Sequence, residues 1–566
     1  MTPILPYLRS GLAIAEWDPA TVDVAARVAA LIVERRPGTP VEHIGSSSVP
    51  GLPGKNVVDL SIAADPADVE DIANVLAELG FQRQSGPQAF PPTRPMLFGS
   101  IEHDGRRHNI HAHVHPTRHR VWGLERARDL GFRDALRRDE SLRREYADRK
   151  RAIAAGVSST MRYSLGKTEW IRGALDRLGL ADPAILPPAT IAIIGGGQLG
   201  RMLALAARPL GYRVSVLDPD AACPAASVVD RVVVGRYDDV EAALDLASDA
   251  DVVTVELEHV GIEVMRALDR EWPTHPGVWA IHVTQDRVEE RRFVESEGAR
   301  VAPWREVTDD AELSAAARDL GLPLRVKAVR GGYDGRSQVR IASEADIAGA
   351  IGRLGRPAGE RFVAEQELDF AAELSVVCSR RLDGRTSTFP VARNRHDDGI
   401  LVESVTPAGV PDSVADEAAE LARRLAEGLD LVGTLTVELF LMPDQSLVVN
   451  ELAPRVHNSG HWTIEGTATS QFEQHIRAIT GLPLGSVEPR AGGLATANLL
   501  GTGAERDARL TGIETALATP DVHVHLYDKR RVFERRKMGH VTAIAATPDE
   551  ARARALAAAA AIGWQE

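Results

Sequence analysis

Two glutamates sit alone among apolar residues in adjacent stretches, Glu438 in Thr436-Val-Glu-Leu-Phe440 and Glu451 in Val448-Val-Asn-Glu-Leu452. Charges in apolar strands are costly unless something neutralises them. Two carboxylates with the Asn450 amide make an oxygen-only ligand set, which suits Mg²⁺, an ion that resists full dehydration and shares its shell with phosphate. Directly downstream comes Ala453-Pro-Arg-Val-His-Asn-Ser-Gly-His-Trp462. Its Arg455 can hold a planar oxyanion such as bicarbonate through paired donors, and His457 can steer or exchange a proton near neutral pH. His461 reads equally well as a satisfied surface histidine.

Upstream, Arg325-Val-Lys-Ala-Val-Arg-Gly-Gly-Tyr-Asp-Gly-Arg-Ser-Gln338 is a strand lysine followed by a glycine-rich loop. Lys327 supplies a point charge to nucleotide phosphates, and the glycines let backbone amides approach them; a plain glycine turn is the competing reading. Phe362-Val-Ala-Glu-Gln-Glu-Leu368 reads as a strand that ends in a hinge. Asp251-Val-Val-Thr-Val-Glu-Leu-Glu-His259 puts Glu256 and Glu258 at the carboxyl end of a buried strand, where open α/β sheets hold ligands. Either could accept from a substrate amine or hydroxyl, or both could be solvated strand-end acids. Ile191-Ala-Ile-Ile-Gly-Gly-Gly-Gln-Leu-Gly200 runs a strand into G-x-G-x-x-G, with Asp218 closing the next strand. A dinucleotide reading of that turn is weak, because any phosphate or carboxylate can approach such helix amides.

These residues need strands to hold them. Ile191–Ile194, Val214–Leu217, Arg231–Val234 and Val252–Val255 alternate with helical segments, which predicts a parallel sheet. Three prolines between Gly179 and Thr190 mark a seam, since they remove amide donors and bias their neighbours away from helix. At 566 residues the chain exceeds one hydrophobic core. The expected division is 1–178, a linker at 179–189, then 190–290, 291–485 and 486–566. A charged helical region is expected from about Arg126 to Ala155, and a terminal amphipathic helix from Ala551 to Ile562. The net charge of −14 argues against nucleic acid or an anionic membrane as partner and leaves small-molecule substrates. Cys223 and Cys378 are too few for a disulfide framework or thiolate zinc site and are expected to be buried, inert thiols. No apolar run nears the ~20 residues that span a bilayer, and no leader pattern opens the chain, so a cytoplasmic protein is expected.

Taken in order, these motifs resemble the ATP-grasp enzymes, and Asn450-Glu-Leu-Ala-Pro-Arg-Val-His-Asn-Ser-Gly-His-Trp-Thr463 resembles the N5-carboxyaminoimidazole ribonucleotide synthase family. The likeness runs from about Thr190 to Ile562 and includes Gln285-Asp-Arg287, His525-Leu-Tyr527 and Arg536-Lys-Met-Gly-His540. It implies a Rossmann-like pre-ATP-grasp domain, an ATP-grasp domain and a small C-terminal domain, in an α/β and α+β multidomain chain. The implied reaction phosphorylates bicarbonate with ATP and carboxylates the exocyclic amine of 5-aminoimidazole ribonucleotide. By the same resemblance, Lys327 with Gly332, Tyr333, Asp334, Gly335, Arg336, Ser337 and Gln338 would cradle the ATP phosphates. Glu365, Gln366, Glu367 and Leu368 would meet adenine and Glu373 the ribose. Glu438, Glu451 and Asn450 would carry Mg²⁺, and Arg455, His457 and Lys327 would act in catalysis. Tyr333, Asp334 and Arg336, with Glu256 or Glu258, would hold the imidazole ribonucleotide, and Lys529 and Arg536 its phosphate. Ser337, Asp528, Glu534 and Arg535 depart from the family's glycine, glycine and Pro-Gly, which bears on acceptor choice. A different amine acceptor and a non-catalytic nucleotide sensor are the rival readings. The family resemblance also implies a homodimer and a link to the mutase that consumes the product.

Before the seam, Val41-Glu-His-Ile-Gly-Ser-Ser-Ser-Val-Pro-Gly-Leu-Pro-Gly-Lys-Asn-Val-Val-Asp-Leu60 resembles the GrpB-like family of the nucleotidyltransferase fold. Asn109-Ile-His-Ala-His-Val-His115, Phe132-Arg-Asp-Ala-Leu-Arg137, Tyr146 and Lys150 extend the likeness over residues 7–175. In that fold Gly45 and Ser46 would take a phosphate and Asp59 would be one of two metal-binding acids. Leu60 and Ser61 follow, so the second acid is missing. His111, His113 and His115 alternate on one strand face and could bind a zinc-like ion, although a solvated polar face is the favoured reading.

Overall fold

The computed structural model describes residues 3–565 except 9–10, 86–89, 120–121, 158–159, 182, 332–337 and 356–359. They form two compact units, residues 1–184 with 266–273 and residues 185–265 with 274–566. The change of unit at 184/185 falls inside the proline-rich seam.

In the first unit, β1 (Val41–Ile44), β2 (Val58–Ala64), β3 (Gln82–Arg83), β4 (Met96–His103) and β5 (Arg106–Pro116) form a sheet of order β1-β2-β5-β4-β3. Strands β2 and β5 pair parallel and the other neighbours antiparallel. Period-two alternation divides β5: Ile110, Ala112 and Val114 enter a core with Val24, Val28 and Ile32 of helix Ala20–Arg35, while His111 and His113 take the opposite face. The charged helical region is two helices, Glu125–Arg138 and Glu140–Gly156. They break at Asp139, which has extended backbone and caps the second helix by accepting from the Leu142 amide.

The second unit opens with the expected parallel sheet: β6 (Thr190–Ile194), β7 (Arg213–Asp218), β8 (Arg231–Val234) and β9 (Val252–Val255), in order β8-β7-β6-β9. A four-stranded antiparallel sheet follows, with order β10-β13-β11-β12, from β10 (Trp304–Val307), β11 (Leu324–Ala328), β12 (Gln338–Ile341) and β13 (Phe362–Gln366). Next, β14 (Ala372–Arg380), β15 (Thr386–Thr388), β16 (Ala392–Asp397), β17 (Ile400–Thr406), β18 (Gly433–Leu441) and β19 (Leu447–Ala453) build one part of a nine-stranded sheet. Strands Gly493–Leu500, Lys537–Ala545 and Val522–Leu526 continue that sheet beyond β17, so hydrogen bonding runs unbroken across the 485/486 point. The terminal helix, Pro548–Ala561, buries Ala551, Ala555 and Ala558 against Ala495, Ala497 and Val541. No helix among the described residues is long and apolar enough to cross a membrane. Both cysteines are buried, and burial pushes each thiol up to about 11, which makes them inert as nucleophiles.

Candidate active site

Strand register in the second unit assembles one cavity of about 790 Å³. On its floor Glu438 of β18 lies directly opposite Glu451 of β19. A bulge follows at once, as the pairing steps from Glu438↔Glu451 to Leu439↔Val449 and leaves Asn450 as the extra residue. This aims Asn450 and Glu451 into the cavity together, which a regular alternation would forbid. Burial raises the Glu438 carboxyl; the charges of Glu451 and Glu373 add to this and His396 opposes it. Two facing carboxylates beside an amide oxygen, one of them hard to ionise, form a donor set that Mg²⁺ fits. Arg287 holds part of the charge, with Nη1 3.2 Å from Glu451 Oε2.

Strand β11 buries Leu324, Val326 and Ala328 and turns Arg325 and Lys327 to the cavity. Lys327 pairs in register with Val363, so Glu365, two residues on along β13, is its diagonal neighbour on the same face. Their Nζ and Oε2 are 2.6 Å apart, and the other Glu365 oxygen accepts from Arg291 Nε. Burial pushes the Glu365 carboxyl up, but Arg291 and Lys327 outweigh it and hold it at about 2. Glu365, expected at the adenine edge, thus spends both oxygens on cations. Gln366 donates to the Leu320 carbonyl, and Glu367 pairs with Arg325 and Arg340. Leu368, Phe370, Leu401, Phe440 and Val449 give the cavity an apolar wall, with the Phe370 and Phe440 rings stacked at 4.5 Å. Glu373 also lines it and binds His396 Nδ1 at 2.8 Å.

Toward β9, the two strand-end acids divide. Glu256 accepts from the Gly197 and Gly200 amides, so the glycine turn is capped by the protein's own carboxylate. A side chain at Gly195, where φ is +107°, would overlap Glu256. Asp218, placed where a ribose-binding acid would stand, accepts from Gly196 N, Asp220 N and Tyr237 OH. Both acids are therefore consumed by the turn itself, which removes the dinucleotide reading. Glu258 instead forms a two-bond pair with Arg455, whose guanidinium holds the carboxyl down at about 2 against the opposing effect of burial.

His457 departs from expectation. Burial, then Arg455 and Lys537, lower it well below its ordinary value, so the ring stays neutral and does not titrate near pH 7. Its Nδ1 accepts from the Ser459 amide at 3.3 Å, which places the ring proton on Nε2, 3.6 Å from Glu438. It is therefore a hydrogen-bond donor into the cavity. His461 is fully buried against Phe472, Tyr527 and His540 and is not a surface residue. Lys529 lines the cavity and binds Gln198 Oε1 at 2.6 Å. Arg536 is not among the lining residues; its guanidinium stacks on Phe533 and donates to the Arg531 carbonyl. Lys537, its neighbour, takes the lining position. Gly332, Tyr333, Asp334, Gly335, Arg336 and Ser337 lie outside the described residues, and Gln338 stands on the lining.

The remaining departures from the family pattern are absorbed locally. Asp528 and Arg535 adopt φ of +59° and +64°, the left-handed region where glycine is cheapest, and each replaces a glycine. Asp528 accepts from Ser227 Oγ, Arg535 pairs with Asp397, and Glu534 accepts from the Gly503 amide. Sequence reasoning missed Arg287, Glu290, Arg291, His396 and Lys537 as site residues. The first three were detectable as Arg287-x-x-Glu290-Arg291, one face of helix Arg287–Ser296 following an acidic cap at Asp286.

In the first unit, Asp59 accepts from His111 Nδ1 at 3.1 Å and lies 3.5 Å from His113 Nε2. Its carboxylate also presses on Gly45, next to Ser46, where any side chain would overlap it. His115 is fully buried between Ser61 and Arg94. The histidine face is thus a packed hydrogen-bond network, not the solvated surface favoured from sequence, because Arg94 and helix Glu125–Arg138 bring further partners, among them Glu125. Asp59, His111 and His113 offer ligand atoms within 4.8 Å of one another. Arg94 Nη1, however, donates to His113 Nδ1 at 3.3 Å, which leaves the proton on Nε2 facing Asp59, so His113 serves here as a donor.

Comparison with known proteins follows this division. The chain matches the GrpB protein family over residues 12–177, the ribonucleotide synthetase preATP-grasp domain over 188–285, the ATP-grasp domain over 292–472 and the phosphoribosylaminoimidazole carboxylase C-terminal domain over 495–554. It is 41% identical to N5-carboxyaminoimidazole ribonucleotide synthase of Brucella melitensis over 64% of this chain and 98% of that one. Against the enzyme of the same name from Bacillus subtilis the identity is 40%, over 66% and 95%. The crystal structure of N5-carboxyaminoimidazole synthase from Aspergillus clavatus in complex with ADP and 5-aminoimidazole ribonucleotide superposes with a TM-score of 0.60 at 33% identity, covering 66% of this chain and 98% of that one.

Proposed function

Because the chain belongs to the N5-carboxyaminoimidazole ribonucleotide synthase family, we propose a division of its own residues over the steps of that reaction. The protein is an ATP-grasp carbon–nitrogen ligase that uses ATP and bicarbonate to carboxylate 5-aminoimidazole ribonucleotide. A bicarbonate oxygen attacks the γ-phosphorus and ADP leaves; the amine then attacks the carbonyl carbon of the resulting carboxyphosphate, phosphate departs, and the nitrogen sheds a proton. When bound, Mg²⁺ supplies charge neutralisation on the phosphate oxygens.

Glu438, Glu451 and Asn450 are the residues that would hold it. Lys327, already set by Glu365, meets the phosphates as a point charge whose position costs nothing to arrange at the moment of transfer. Arg287, Arg291 and Lys327 together offset the charge that spreads during phosphoryl transfer. Arg455, fixed by Glu258, presents its remaining donors to bicarbonate, and His457 Nε2–H donates to an oxygen of the same group. The apolar wall of Leu368, Phe370, Leu401 and Phe440 takes the adenine, and Glu373 the ribose. Gln366, Glu367 and Gln338 border the nucleotide. Lys529, with Lys537 in the place expected of Arg536, takes the ribonucleotide phosphate. The cavity walls limit the access of water to carboxyphosphate. Segments 190–290, 291–485 and 486–566 contribute the acceptor end, the nucleotide clamp and the phosphate lysines respectively. The family reading extends to a cytoplasmic homodimer whose product passes to N5-carboxyaminoimidazole ribonucleotide mutase.

The register-opposed Glu438 and Glu451 and the bulged Asn450, lining one cavity with a clamped lysine and a clamped arginine, carry this assignment. ADP formation by the full chain, with and without bicarbonate and 5-aminoimidazole ribonucleotide, tests it. Turnover should need bicarbonate, rise with the acceptor and vanish in Glu451→Ala; ATP hydrolysis indifferent to both compounds would overturn it.

A further inference from the structure

The turn that presents His457 closes around one buried side chain. Gln471, 0% exposed, opens helix Gln471–Ile479. Its Oε1 accepts from the His457 amide at 3.0 Å, and its Nε2 donates to the His457 carbonyl at 2.6 Å. One planar amide thus holds both backbone polar groups of a single residue, and a flipped amide would set oxygen against carbonyl and N–H against N–H. The clamp is itself held. The Gln471 backbone amide donates to Thr463 Oγ1 at 3.0 Å, and that hydroxyl donates to the Gly460 carbonyl at 2.6 Å. A methyl group built on Gly460 would come within 2.6 Å of Gln471 Oε1, so the turn packs directly onto the amide and a side chain there would displace it.

The helix that carries Gln471 is anchored in the parallel sheet. Phe472, Ile476 and Ile479 share a core with Ile191, Ile193 and Val252, and Val456 joins them. His475, four residues after Gln471, forms a 2.8 Å hydrogen bond with Thr254 Oγ1 of β9. Strand β9 leads into Glu256 and Glu258, and Glu258 holds Arg455. One helix therefore ties the His457 turn to the strand end assigned to the acceptor. The groups assigned to ATP are held by other elements: Lys327 by Glu365, and Glu451 by Arg287.

On the ligase assignment, we propose that Gln471 is a positioning residue for the second half of the reaction, which fixes His457 Nε2–H on the carbonyl oxygen of carboxyphosphate and so couples ATP use to carboxylation. As the amine nitrogen bonds to the carbonyl carbon, the C=O electron pair moves onto that oxygen, where the donor meets it. The pair returns as the C–O bond to phosphate breaks, and the nitrogen loses its proton. Carboxyphosphate that is not attacked breaks the same C–O bond to give carbon dioxide and phosphate, a unimolecular step that needs no donor. A donor misplaced by about 1 Å slows the positioned step on the order of 10²-fold and leaves the unimolecular one unslowed, so ATP is consumed without product.

Initial rates of ADP release and of labelled carbon fixed from bicarbonate onto the ribonucleotide, measured together for the full chain, give the coupling ratio. The unsubstituted chain should fix one carbon per ADP. In Gln471→Met the ratio should fall to below about one half, while the KM for ATP stays within about twofold. Gly460→Ala, which displaces the same amide from the other side, should give the same result, and it carries the test where Gln471→Met does not fold. The double variant should be no worse than the single ones, since both act through one contact. A ratio kept at one by the folded variants would overturn the proposal, as would a fall in the ratio matched by an equal rise in the KM for ATP, which marks damage to the site at large. ATP hydrolysis by the unsubstituted chain that ignores bicarbonate would overturn the ligase assignment itself, and this proposal with it.

Discussion

Two buried lysines, Lys327 of the ligase cavity and Lys150 of the first unit, are treated in opposite ways. In the ligase cavity four cations are matched to carboxylates: Lys327 and Arg291 share Glu365, Arg287 faces Glu451, and Arg455 grips Glu258. In the first unit, Asp59 gives one oxygen, Oδ1, to both His111 and His113, while Lys55, Lys150 and Lys167 have no carboxylate partner among the described residues. A matched network is preorganised for developing charge, because its groups are already placed when phosphate arrives. The pairing of charges therefore separates the preorganised ligase centre from the lysines of the first unit.

The largest expected effect comes from removing the carboxylate pair. Glu438→Gln or Glu451→Gln should lower kcat by about 10²–10³-fold, measured as acceptor-stimulated ADP release, while the circular dichroism spectrum is retained. Next, the matching itself can be broken. Glu365→Ala leaves Lys327 and Arg291 buried without their partner and should cost about 3–5 kcal/mol in denaturant unfolding of the second unit. The corresponding change in the first unit has the opposite sign: Lys150→Met removes a buried charge that has no carboxylate partner among the described residues and should be neutral or stabilising by up to about 1–4 kcal/mol. A loss of stability in Lys150→Met would erase the contrast.

Dependence on pH sharpens the same difference. The Glu365 carboxyl is lowered from 4.5 to about 2 on folding, so its contribution is complete above 4.5 and fades as pH falls toward 2. Lys150 is lowered from 10.5 to about 7, so between those values the unfolded chain binds the extra proton and stability of the first unit should rise with pH. Hydrogen exchange resolved to the two units, followed across pH, measures both slopes. The smallest expected effect is that of Arg536→Ala, which should change the KM for the ribonucleotide only about twofold, because its guanidinium is turned to Phe533 and the Arg531 carbonyl. A loss as large as that of Lys529→Ala would return Arg536 to the site.

Much of the second unit was legible in the sequence because its signals are periodic or dense. Four apolar runs gave the parallel sheet, and lone glutamates in apolar strands gave the carboxylate pair that the register sets face to face. What stayed hidden depends on partners distant in sequence. Glu365 reads as a hinge residue until Arg291, 74 positions away, is seen at its oxygen. The burial of His461 was not legible, because polar type is a poor guide to burial when aromatic rings close over it. The His111–His113–His115 face looked solvated for a related reason: Arg94 and Glu125 arrive from other elements and cover it.

Oxygen tracing tests the central claim most directly. With bicarbonate carrying heavy oxygen, attack on the γ-phosphorus and later departure of phosphate transfer one bicarbonate oxygen to the phosphate released. Mass spectrometry of that phosphate, from the full chain turning over MgATP and 5-aminoimidazole ribonucleotide, should show one heavy oxygen per phosphate formed. Phosphate that carries oxygen from water instead would contradict carboxyphosphate formation and with it the roles assigned to Arg455, His457 and Lys327.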